Sequence, residues 1–207
     1  MHARVIPTGD YSANCTVVWN EPDKVFVIDP GADAGDLLEF LRDNGLTPSA
    51  YLFTHGHLDH LSALPEMLAS MPAPVYMNKK DALWAFTKIN FIPGYVQPEQ
   101  EPEILVDDII DGSIIEAGSL KAKVITTPGH TPGGVCYFFE EESLLVAGDT
   151  LFNGSVGRTD LPGGDWGLLA SSLSKLMELN DDVVVVCGHG QNTTIGAERR
   201  DNPYINQ

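Results

Sequence analysis

Thr54-His55-Gly56-His57-Leu58-Asp59-His60 puts three imidazoles and one carboxylate into seven consecutive residues. The chain has only six histidines in 207 residues, so half of them fall in this one stretch. Imidazole nitrogen and carboxylate oxygen suit Zn²⁺, Fe²⁺ or Mn²⁺ better than soft copper or an iron–sulfur cluster. A solvated, His-rich turn is the ordinary alternative. It loses ground because the other histidines share the same setting. Residues 50–53 read as a short apolar strand, so the motif begins at a strand's C-terminal end. Open α/β sheets commonly put ligand sites there, because loops converge while strands stay rigid.

Moving outward, the same grammar recurs three times. His130 lies in Thr-Pro-Gly-His-Thr-Pro-Gly-Gly after an apolar strand ending near Thr126. Asp149 lies in Ala-Gly-Asp-Thr after a strand over 144–147, and His189 in Cys-Gly-His-Gly after a strand over 183–187. In each, a glycine lets the backbone turn sharply, so the next side chain points across the strand ends. Only His2 is left over, and it reads as a surface residue. The full donor set is His55, His57, Asp59, His60, His130, Asp149 and His189. One catalytic Zn²⁺ takes three protein ligands and a structural one four. Seven donors are too many for one ion and right for two ions with three terminal ligands each and one bridging carboxylate. Two such ions would hold a bridging water as hydroxide and polarise a carbonyl or phosphoryl group.

These residues, with Asp29 in Ile-Asp-Pro-Gly, resemble the metallo-β-lactamase superfamily over nearly the whole chain. The resemblance implies an α/β fold, a four-layer αββα sandwich with two divalent metal ions at one edge of its sheets. Zinc is the first expectation, with iron or manganese as alternatives. It matches His55, His57 and His130 to one metal, Asp59, His60 and His189 to the other, Asp149 to the bridge, and Asp29 to a supporting aspartate. Within the superfamily, His57 stands where flavodiiron proteins carry a glutamate, and Asp149 where the lactamases proper lack a bridging carboxylate. Thr-Pro-Gly-His-Thr-Pro-Gly-Gly-Val-Cys-Tyr and Gly-Arg-Thr-Asp are similar to the glyoxalase II group, which hydrolyses the thioester of hydroxyacyl-glutathione. That resemblance implies a small-molecule thioester substrate such as S-D-lactoylglutathione. It also implies that Tyr137 and Arg158 contact the substrate, with Arg158 and the metal-ligating Asp59 also in catalysis. Two departures stand out. Gly190-Gln191 replaces the group's Glu-Tyr after the last histidine, and the helical domain that grips glutathione is missing. The alternative by resemblance is a persulfide dioxygenase holding one iron through His55, His130 and Asp149. A metal-binding scaffold without activity is a third reading, disfavoured by the complete donor set.

Bulk composition bounds the partners. With 12 basic and 29 acidic residues the formal charge is −17, which opposes sequence-independent nucleic-acid binding and docking on anionic lipid. No apolar run approaches a membrane span, and the start lacks the apolar stretch of a signal peptide, so a cytoplasmic protein is expected. Cys15, Cys136 and Cys187 sit in apolar runs and read as buried strand thiols rather than a disulfide framework. Residues 1–207 read as one domain. Helices are expected over 33–44, 61–71, 81–88 and 168–179. Residues 89–108, with three prolines and four acidic residues from Glu99 to Asp107, read as a loop crossing the surface, in which Phe91 and Tyr95 either cover a ligand or pin the loop.

Overall fold

Two six-stranded sheets lie face to face in the computed structural model, which describes residues 1–98 and 101–205. The first runs in simple order: β1 (His2–Thr8), β2 (Ala13–Glu21), β3 (Lys24–Ile28), β4 (Pro48–Leu52), β5 (Val75–Tyr76) and β6 (Leu105–Val106). Its first three strands are antiparallel and β3 to β6 are parallel. The second contains β7 (Ile114–Ala117), β8 (Leu120–Thr126), β9 (Val135–Phe139) and β10 (Leu144–Gly148). A small hairpin, β11 (Leu151–Phe152) and β12 (Ser155–Val156), precedes its last strands, β13 (Val184–Cys187) and β14 (Thr193–Thr194). The order across this sheet is β14-β13-β10-β9-β8-β7, with β10 and β13 parallel.

The period-2 alternation of strands, with apolar residues at both phases, explains the layering. In β3, Val25 and Val27 face the helices α1 (Ala34–Asp43), α2 (Leu64–Ser70) and α3 (Lys79–Ala85), while Phe26 and Ile28 face the other sheet. In β9, Val135, Tyr137 and Phe139 face inward, and Cys136 and Phe138 pack toward α4 (Trp166–Leu176) and α5 (Ile195–Asp201). The central strands of both sheets are therefore buried on both faces, while β1, β7 and β8 keep exposed outward residues, giving the expected αββα order of layers. All three cysteines are buried and free.

The strands also aim the site. β3 and β4 are parallel, as are β10 and β13, and β8 runs with β10 because each is antiparallel to β9. The sheets are tied near these ends where Val135 N–H donates to Thr54 O at 2.8 Å, Asn14 N–H to Gly188 O at 2.7 Å, and the Tyr137 hydroxyl to Phe53 O at 2.8 Å.

Several sequence expectations shift. The second helix begins at Leu64, because residues 58–60 form a separate 3-10 turn carrying Asp59 and His60. The third spans Lys79–Ala85, started by Asn78, whose side chain accepts from Lys80 N–H. Leu105–Val106, inside the stretch read as loop, pairs in parallel with β5; two residues are too few for an alternation pattern to show. Glu99 and Gln100 of that stretch lie outside the described residues. α5 escaped notice, although Thr194 caps it by accepting from Ala197 N–H at 3.2 Å. Among the described residues no helix is long and apolar enough to cross a membrane.

Phe139 is fully buried between the sheets, its ring 6.3 Å from that of Phe26. Phe139→Ala is expected to cost about 3–5 kcal/mol in denaturant unfolding of the metal-free protein, and Phe139→Leu distinctly less.

Candidate metal centre

Asp29 ends β3 in the left-handed backbone region, at φ 52°, and is 1% exposed. Its Oδ1 accepts Thr54 N–H at 2.8 Å, and its Oδ2 accepts the Thr54 hydroxyl at 2.5 Å and His60 Nδ1–H at 3.1 Å. With its proton committed to Asp29, Thr54 Oγ1 is left as the acceptor for His55 Nδ1–H at 3.1 Å. His130 Nδ1–H donates to Arg158 O at 2.8 Å and His189 Nδ1–H to Tyr11 O at 2.9 Å. Carbonyls and carboxylates only accept, so Nδ1 of each of these rings carries a proton outward, and their Nε2 atoms face one another. His57 is the exception, turning Nδ1 inward to lie 3.0 Å from His130 Nε2.

All seven sequence-named donors converge at the strand ends. His55, His57 and His130 form one triad whose ligand atoms lie within 4.8 Å of each other; Asp59, His60 and His189 form another. Asp149 reaches both: Oδ1 is 3.4 Å from His60 Nε2, and Oδ2 is 3.5 Å from His130 Nε2 and 3.6 Å from His189 Nε2. Asp59 Oδ2 is 3.4 Å from His189 Nε2. Among the described residues, buried His55 Nε2 and Asp149 Oδ1 have no hydrogen-bond partner, and His60 Nε2 lies 3.2 Å from His189 Nε2. Facing lone pairs and orphaned buried acceptors are unfavourable unless a cation is shared among them. The residues present therefore fit divalent metal ions.

The electrostatics follow. Burial pushes His57 down to about 4, with His130 adding to the effect, and burial likewise lowers His55 well below the usual imidazole range. Burial also opposes charge on His60, but Asp149 and Asp59 outweigh it and raise this imidazole well above 6.5. For Asp149, burial is overcome by His60, His130 and His189, which hold the carboxylate well below its ordinary range.

The two residues expected at the substrate stand differently. Tyr137 is fully buried between the sheets, with its hydroxyl spent on the carbonyl just before Thr54. This corrects the expectation of a substrate contact: the ring props the strand that launches the metal motif. The Arg158 guanidinium is exposed and doubly bonded to Asp160 at 2.7 Å, while its backbone carbonyl orients His130. Tyr95 pins its loop, accepting Tyr11 N–H at 2.9 Å, and the Phe91 ring is 64% exposed.

Sequence reading passed over Asp81. Fully buried on α3, it accepts Gly56 N–H at 2.9 Å and the Thr131 hydroxyl and Gly133 N–H at 2.7 Å each. Its carboxyl is raised by burial, against those hydrogen bonds. It clips the His55–His57 loop to the His130 loop. A lone aspartate in a helix carries no such signal; the one hint was that two of its three partners are glycines. Glycine is also required at 188, where a Cβ would overlap Asp149 Oδ1.

Comparison with known proteins agrees with this geometry. The model of the metallo-beta-lactamase superfamily matches residues 8–189. The chain is 34% identical to hydroxyacylglutathione hydrolase GloC of Haemophilus influenzae, covering 100% of this chain and 99% of that one. Among solved structures it is similar to the BLEG-1 B3 metallo-beta-lactamase, with TM-score 0.90, 34% identity and full coverage of both chains. It is also similar to TTHA1623 in a di-iron-bound form, with TM-score 0.84 and 32% identity over 97% of this chain and 99% of that one.

Two outcomes are expected. Asp81→Ala, which orphans three buried donors, should cost about 1–3 kcal/mol or more in unfolding and about 10–100-fold in metal affinity by calorimetric titration. Metal affinity should also fall as pH drops through the raised values of His60 and His189, both above 6.5, since loading displaces their protons. Stability of the metal-free protein has the opposite sign. The His60 contribution is fully present below the unfolded value of 6.5 and is lost as pH rises through the raised folded value.

Proposed function

Because this chain belongs to the metallo-β-lactamase superfamily, we propose that it is a dinuclear metal-dependent hydrolase of small-molecule thioesters. The observation carrying this reading is Asp149, a buried carboxylate within 3.6 Å of imidazoles from both triads. Two divalent cations, zinc first and iron or manganese next, would supply Lewis acidity toward the carbonyl and acidify a water there. His55, His57 and His130 would hold one, Asp59, His60 and His189 the other, and Asp149 both. The di-iron form of TTHA1623 supports the count of two.

The remaining chemistry belongs to the protein. Asp59, 8% exposed in the site, orients the attacking water. The locked imidazoles keep the donor atoms in place, so no reorganisation accompanies charge development on the carbonyl oxygen. The leaving group favours a thioester. The inward faces of the rings offer acceptors, and four Nδ1–H groups are already bound to Thr54, Asp29, Arg158 and Tyr11. A thiolate, from a thiol of pKa about 8.5, departs without an acid, whereas the amide nitrogen of a lactam must be protonated. The likeness to GloC points to the same class of substrate. The likeness to BLEG-1 makes a β-lactam the natural comparison substrate.

Metal-reconstituted protein should hydrolyse S-D-lactoylglutathione or a simpler lactoyl thioester well ahead of a cephalosporin, with two metals per chain by elemental analysis. Asp149→Asn should lower kcat by at least about a hundredfold and reduce metal content, with the far-ultraviolet circular dichroism unchanged. One iron per chain with oxygen uptake on a persulfide would replace this reading by the dioxygenase.

A further inference from the structure

The segment leaving α3 carries a second concavity, outside the imidazole cluster. A cavity of about 620 Å³ is lined by Phe86, Lys88, Phe91, Gln97 and Pro98. It adjoins the His57 loop. Asn90, within this segment, donates to Gly56 O at 2.7 Å and Ala85 O at 2.8 Å, and the Trp84 ring lies 5.5 Å from that of His57.

Its lining carries three chemical features. Phe86, the exposed ring of Phe91 and Pro98 make apolar walls, with Ile89 and Val96 also exposed along the same segment. The Lys88 ammonium is exposed, and among the described residues it has no partner. On a chain of net charge −17 it is a local attraction for an anion that the rest of the surface repels. Gln97 Oε1 is buried and among the described residues accepts nothing, while its Nε2 is turned to Pro98 O at 3.4 Å. A buried acceptor stays unfavourable until a ligand donates to it.

We propose that this cavity takes the thiol half of the substrate and selects a thiol bearing both a carboxylate and an amide N–H, as an N-acylated cysteine does. The carboxylate meets Lys88, the amide N–H donates to Gln97 Oε1, and the carbon frame packs on Phe86 and Phe91. The carbonyl to be cleaved then points past Trp84 toward His57. As a statement about catalysis this rests on the thioester reading; as a statement about binding it does not.

The test uses the full metal-loaded chain. Calorimetry compares S-benzyl-N-acetylcysteine with S-benzyl-N-acetylcysteamine, which keeps the amide and lacks the carboxylate. Wild type should bind the first about fivefold more tightly at low salt, Lys88→Ala should abolish the difference, and Lys88→Glu should reverse it. Gln97→Leu should weaken both ligands, with metal content unchanged by elemental analysis. In parallel, the D-lactoyl thioesters of the same two thiols should differ in KM rather than kcat. Equal binding of the two ligands by wild type overturns the assignment. So does failure to bind either one, or a preference that survives both Lys88 variants. If the carboxylate preference is present and neither thioester is hydrolysed, the cavity assignment stands and the thioester reading falls.

Discussion

The carboxylate of Asp29 is the constraint on which the centre depends. Nothing in the site is held by a single long side chain reaching from a flexible loop. Instead, one buried aspartate at the end of β3 fixes the backbone at Thr54, the hydroxyl of Thr54 and the ring of His60. Through Thr54 it also sets His55. One imidazole of each triad is thereby oriented from a common origin. Donors that must meet a cation within tenths of an ångström need such a shared reference, because independent loops would each contribute their own disorder.

A second buried carboxylate does for the loops what Asp29 does for the rings. Asp81 joins the turn at Gly56 to the turn at Thr131–Gly133, so His55, His57 and His130 come from two loops that move as one. Burying two such groups is costly in isolation. Here each accepts three hydrogen bonds, and the price is met by the precision it gives to the donors around it. The same logic accounts for Tyr137. Its hydroxyl completes the backbone of Phe53, the residue from which the motif springs, and its ring fills the space between the sheets.

Much of this was legible in the chain. Apolar runs followed by Gly and a donor marked the strand ends at His130, Asp149 and His189, and their residue types alone called for a metal. Long strands such as β8 and β9 showed their full extent: β9 is apolar at both phases, β8 alternates apolar residues with Lys121 and Lys123, and flanking glycines and prolines bound them. What escaped were short or conditional elements. β6 has two residues, and α5 is a seven-residue helix started by a threonine cap. Tyr137 looked like a substrate residue by likeness, and only burial reveals it as a prop. Asp81 was invisible because its partners, two backbone N–H groups and the Thr131 hydroxyl, lie 25, 52 and 50 residues away.

By itself, then, the order of residues determined the chemistry: which atoms can bind a metal, and that each donor follows a strand. It could do so because ligand identity and strand periodicity are local properties of the chain. Tertiary structure decided the rest, since tautomers, separations and burial depend on groups far apart in sequence. It set which nitrogen of each ring faces inward, and turned the Arg158 guanidinium to Asp160 while its carbonyl held His130. It also put Asp149 between imidazoles that belong to opposite ends of the chain, His60 and His189.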